Sequence, residues 1–85
     1  MLEKITNNYC KTIILANENK VDYKGKYLVP MTQAEIAKEL GLTRITINSI
    51  FKELYEDGLI EKEENKYYIT NKAITLVEKL KEIKD

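Results

Sequence analysis

The sequence contains no histidine. That absence removes imidazole acid/base catalysis, histidine-assisted nucleophiles and histidine metal ligands together. The one cysteine, Cys10, can build neither an intramolecular disulfide nor a cysteine-based metal site. It falls on a helical stripe, where a small core residue is expected rather than a sensor thiol. Apolar runs are short: none approaches the roughly 18 residues of a membrane span. The N-terminus, with Glu3, Asn7 and Asn8, lacks the basic-then-apolar order of a signal peptide. A cytoplasmic location without membrane contact is the expectation. Acidic pairs such as Glu63 and Glu64 adjoin on one hairpin and frame no recognisable pocket, so neither enzymatic chemistry nor a cofactor or metal is expected.

Net charge is missing as well, with 14 basic against 14 acidic side chains. The balance is uneven along the chain. Residues 20–52 carry six positive and three negative side chains, an excess of +3, whereas residues 53–66 carry two positive and six negative, a balance of −4. A positive excess concentrated in one stretch is the pattern of a phosphate-facing surface. At 85 residues, 44% apolar and 33% charged, the chain has the size and composition of one small globular domain spanning 1–85.

What is present is a sequence of local signals. Leu2, Ile5, Tyr9, Ile13 and Ala16 recur at spacings of three and four, with Asn7, Asn8, Lys11 and Thr12 between them, which predicts a helix over 2–17 with one buried stripe. Residues 17–25 lose that period and read as a loop. Lys26 to Pro30 reads as a short strand able to pair with a later hairpin. Thr32, followed three residues later by Glu35, predicts a capping box and a helix from Gln33. Ala34, Ile36, Ala37 and Leu40 are its apolar positions, Gly41 ends it, and Leu42 plugs the core from the turn. Thr43 is a good N-cap for a second helix reaching Asp57 and stopped by Gly58.

On that second helix Ile47, Ile50, Phe51 and Leu54 form the core stripe, leaving Arg44, Ile45, Asn48, Ser49 and Lys52 on the opposite face. Leu59 to Glu63 and Lys66 to Thr70 predict a hairpin turning at Glu64 and Asn65. Asn71 is expected to cap a last helix over 72–84, with Ile74, Leu76, Val77, Leu80 and Ile83 apolar. That stripe packs on the domain or on a second copy of it. The six tyrosines read as core and strand residues rather than base-stacking platforms. The order of parts is a mainly helical α+β chain, a winged helix-turn-helix with the helix-turn-helix at 32–57, the wing at 59–70 and an added C-terminal helix.

The run from Met31 to Thr70 resembles the C-terminal DNA-binding domain of the Crp/Fnr family of transcription regulators. Thr32, Glu35, Ile36, Ala37, Leu40, Gly41, Thr43, Arg44, Thr46, Ile47, Leu54, Gly58, Leu59 and Ile60 fit that family's pattern in register. The resemblance implies sequence-specific binding of double-stranded DNA, with helix 43–57 in the major groove. Two positions depart from the pattern. Many members place Glu directly after the Arg and a second Arg one turn on, where this chain has Ile45 and Ser49. The family's effector-binding barrel and long dimerisation helix do not fit within 85 residues, which leaves a fragment of a longer regulator or a free-standing winged helix.

Carried onto these residues, base contact falls to Arg44, Ile45, Asn48 and Ser49, and phosphate contact to Thr32, Thr43, Thr46 and Lys52. Each has a plainer reading beside it: Thr32 and Thr43 as caps alone, Arg44 as a solvated cation, Ile45 as a contact for a partner protein. Glu61, Glu63 and Glu64 set the wing against phosphates, so Lys62 and Lys66 are expected to add little affinity. A homodimer through Ile74, Val77, Leu80 and Ile83 is expected to supply a two-fold site. The alternative function is a winged-helix protein-interaction module that never touches DNA.

Overall fold

In a computed structural model, residues 7–83 are described, with side chains to residue 82. The first described helix, α1 (Asn8–Glu18), begins later than the periodicity predicts. Asn7 has extended backbone and its side-chain oxygen accepts from the Cys10 amide at 2.8 Å, a local N-cap. The expected positions Leu2 and Ile5 lie outside the described residues. Cys10, Ile13 and Ala16 are buried as expected. Thr12, read as a polar spacer, is fully buried instead, because its hydroxyl is satisfied by the Asn8 carbonyl at 2.7 Å.

The stretch read as a loop contains a strand. Val21–Tyr23 (β1) pairs antiparallel with Lys26–Val29 (β2) across a two-residue turn, Lys24 and Gly25, both at positive φ (53° and 83°). Two positive φ values suit the twist of a tight hairpin, and glycine takes the second at no steric cost.

The next two helices follow their local signals closely. In α2 (Gln33–Leu40) the Glu35 amide donates to the Thr32 hydroxyl at 3.1 Å and the Thr32 amide donates to the Glu35 carboxylate at 2.8 Å, closing the capping box. Gly41, at φ +70°, lets the chain leave the helix, and the Leu42 amide bonds back to the Ala37 carbonyl at 2.8 Å. The same exit recurs after α3 (Arg44–Glu56), where the Leu59 amide reaches the Leu54 carbonyl at 2.9 Å. Both are Schellman-type ends in which a leucine beyond the glycine tucks toward the core. Ala34 corrects the expectation for α2: it is exposed, on the side turned toward the start of α3.

Ile60–Glu63 (β3) and Lys66–Ile69 (β4) complete an antiparallel sheet in the order β1-β2-β4-β3, so β2 does pair with the hairpin. The last helix, α4 (Asn71–Ile83), starts one residue early. Thr70, not Asn71, caps it: the Thr70 hydroxyl accepts from the Ala73 amide at 3.3 Å and itself donates to the Gly58 carbonyl at 2.8 Å. One side chain thus begins α4 and secures the exit from α3.

Ile13, Ile36, Ile47, Leu54 and Val77 lie at the centre of one core shared by the helices and the sheet. Val77 and Leu80, expected on a dimer surface, are buried in this chain, so the C-terminal stripe packs inward. Ile74 is partly buried on the same core, and the side chain of Ile83 lies outside the described residues. Among the described residues, four helices with a small antiparallel sheet, in this order, make a winged helix-turn-helix.

Candidate nucleic-acid interface

The period of α3 separates two faces. Ile47, Ile50, Phe51 and Leu54 are buried, while Arg44, Ile45, Asn48, Ser49 and Lys52 are exposed on the other side. Ile45 is 84% exposed, the most exposed of the large apolar side chains among the described residues. Arg44, Ile45 and Asn48 share a depression with Gln33 and Ala34 at the start of α2. Asn48 also lines a second cleft, of about 370 Å³, between α3 and the wing, together with Lys52. Ser49 is exposed on the same helix face.

The threonines combine two duties. Thr43 caps α3, its hydroxyl accepting from the Thr46 amide at 3.1 Å while donating to the Thr46 hydroxyl at 2.9 Å. The Thr46 hydroxyl thereby keeps its own proton for a further acceptor. Thr32 accepts within its capping box and likewise retains a donor; it lies in a third depression with Asn65 and Lys66. Thr32 and Thr43 both cap their helices, and the hydroxyls left able to donate to an anion are those of Thr32 and Thr46, since Thr43 spends its proton on Thr46.

Four residues absent from the sequence-derived set belong to this surface: Gln33, Tyr55, Lys62 and Tyr67. Gln33 lines all three depressions, and its Nε2 donates to the Tyr67 hydroxyl at 2.7 Å. The Tyr67 ring meets Phe51 edge-on, 4.8 Å between centroids at 74°. Tyr55, 58% exposed on α3, departs from the reading of the tyrosines as core and strand residues. Its position one turn beyond Lys52 on the exposed face was the available signal. Nothing in the sequence signalled Gln33 and Tyr67, which are 34 residues apart.

The far end of α3 is held by three elements. The Tyr9 hydroxyl from α1 donates to Asp57 Oδ2 at 2.5 Å, Lys72 from α4 donates to the Asp57 carbonyl at 2.9 Å, and Thr70 holds the Gly58 carbonyl. Burial, and then the neighbouring Asp57 carboxylate, push the Tyr9 hydroxyl well above the ordinary tyrosine pKa. The phenol therefore remains a donor at physiological pH.

The family model of the Crp-like helix-turn-helix domain matches residues 10–82. No curated protein matches the chain. Among solved structures, the chain resembles TTHA1359, a transcriptional regulator of the CRP/FNR family from Thermus thermophilus, at 22% identity and a TM-score of 0.63, over 95% of this chain and 43% of that one. It also resembles reduced CprK in the absence of any ligand, at 21% identity and a TM-score of 0.55, over 91% and 38% of the two chains. Oxidized CprK in complex with o-chlorophenolacetic acid gives 19% identity and a TM-score of 0.54, over 91% and 37%. At these identities the likeness to solved structures concerns the fold, and the chain spans less than half the length of each.

Proposed function

The chain belongs to the Crp-like helix-turn-helix family of DNA-binding regulator domains, and from that premise we propose that it reads a specific duplex sequence with α3 in the major groove. The observation that carries this reading is the exposed face of Arg44, Ile45, Asn48, Ser49 and Lys52 on a helix whose other face is core. Arg44 donates two hydrogen bonds to guanine O6 and N7, Asn48 pairs with adenine N6 and N7, and Ser49 meets a neighbouring base edge. Ile45 packs against a thymine methyl, which gives its exposed side chain a partner. Thr32, Thr46 and Lys52 hold phosphates on either side and fix the register, with Thr43 orienting the Thr46 hydroxyl toward its phosphate.

A chain of zero net charge with few cations on this face binds weakly as one copy. Two copies on a two-fold site, with half-sites about one helical turn apart, supply the missing affinity. Their contact is not made by Val77 and Leu80, which are used inside the fold.

Arg44→Ala tests the reading. Fluorescence anisotropy against a selected and a scrambled duplex is expected to show discrimination falling by about 1 to 3 kcal/mol, roughly five- to 150-fold. Unchanged discrimination, or no duplex binding by the unmodified chain at low salt, would transfer the face to a protein-interaction role. The exposure of Ile45 and Tyr55 together is the observation that favours that second reading.

A further inference from the structure

We propose that the outward face of α1 joins two copies of this chain about a two-fold axis, as an antiparallel helix pair with Ile14 and Leu15 at its centre and Lys11 of each copy meeting Glu18 of the other. The inference goes beyond the DNA reading and does not depend on it, because self-association is measured without DNA. It begins from the helical period. Ile13, Ala16 and Asn17 turn α1 into the core, which leaves Lys11, Ile14, Leu15 and Glu18, at i, i+3, i+4 and i+7, along one outward stripe. Lys11 and Glu18 are exposed, whereas Ile14 and Leu15 are half-buried at the edge of the core.

The stripe borders a groove of about 280 Å³ that Leu40, at the end of α2, and Leu80, from α4, complete. The order of residues along the stripe identifies what covers it. A two-fold contact sets a patch against itself, so the patch must be self-complementary. About an axis between Ile14 and Leu15, position 11 faces position 18 of the other copy and position 14 faces position 15. A cation then meets a carboxylate at both ends, and aliphatic side chains meet at the centre. A parallel pair would instead oppose lysine to lysine and glutamate to glutamate. Among the described residues neither Lys11 nor Glu18 has an ion-pair partner within the chain, the bridge present being Lys26 with Glu63. The remaining charge on the groove, Lys81, comes from α4 and so lies beside the α1 pair rather than in it.

Such a contact leaves the duplex side free. Leu40, the last residue of α2, lines the groove, whereas Gln33, the first, lines the depressions around α3, and the groove shares no residue with any of them. The 11 residues of α1 make a helix about 16 Å long, so the pair buries less than a standard-size interface and the association is weak and concentration-dependent.

Sedimentation velocity of the full chain over micromolar to millimolar concentrations is expected to show a monomer passing into a dimer. Lys11→Glu and Glu18→Lys are each expected to weaken the dimer about tenfold, because symmetry makes two like-charge pairs at once. The double variant Lys11→Glu/Glu18→Lys is expected to recover it. So is an equimolar mixture of the two single variants, in which every end contact again opposes unlike charges. Leu15→Lys is expected to abolish the dimer, with thermal melting followed alongside because Leu15 also packs on the core. The charge swaps lie on exposed side chains and keep the test independent of folding. A strict monomer at millimolar concentration overturns the proposal and assigns the groove to another protein or to a further segment of a longer chain. A dimer indifferent to both swaps, or one weakened by them without recovery in the double variant or the mixture, overturns the antiparallel contact. Duplex discrimination by Arg44 is read separately by anisotropy, so either proposal can fail while the other stands.

Discussion

Tyr9 shows how one side chain links an element outside the helix-turn-helix to the pose of α3. Its hydroxyl reaches across 48 residues of sequence to Asp57, at the C-cap of α3. The raised pKa means that the folded state holds the phenolic proton more tightly than the unfolded chain does. The associated stability is therefore fully present below the ordinary tyrosine pKa of about 10 and is lost as pH rises through the higher folded value. Tyr9→Phe is expected to lower stability by about 1 kcal/mol at neutral pH. In urea titrations the gap between the two proteins should stay constant from about pH 6 to 9 and narrow above about pH 10. A gap that does not change at alkaline pH would show that the hydrogen bond contributes nothing.

At the scale of elements, α4 completes the core. Ala73, Val77 and Leu80 are buried against the other helices, and Thr70 ties its first turn to the exit of α3. Val77→Ala is expected to cost about 2 kcal/mol in chemical denaturation by leaving a cavity. Sedimentation should report the same oligomeric state for the variant and the unmodified chain; dissociation of a dimer on this substitution would restore the stripe as an interface. The helix ends were legible beforehand because a cap or a glycine exit is decided by residues within one turn, as Thr32 with Glu35, Gly41, Thr43 and Gly58 illustrate. β1 was not, because three residues containing an Asp give almost no period, and Lys24 with Gly25 is a weaker turn signal than Asn-Gly.

For the molecule as a whole, the distribution of charge matters more than its sum. Glu61 and Glu63 are neighbours of Lys62 in sequence, but the strand alternation puts them on the opposite face of the sheet. One copy meeting about three to four phosphates is expected to show a slope of log K against log salt of about −3, doubling on a two-fold site. A slope near zero would show that phosphates contribute nothing to binding.

The sequence by itself determined the presence of the helices, the Thr32 and Thr43 caps, the glycine exits and the division of α3 into a core stripe and an exposed face, because each depends on spacing within a few residues. It also supplied Arg44, Ile45, Asn48, Ser49 and Lys52, since a helical period alone collects them on one side. Only the tertiary structure decided that the stripe of α4 turns inward, since an amphipathic helix does not specify what covers its apolar face. The meeting of Gln33 with Tyr67, and of Lys62 with the cleft, was likewise fixed by sheet register and by the packing of α2 on α3, relations between residues far apart in the chain.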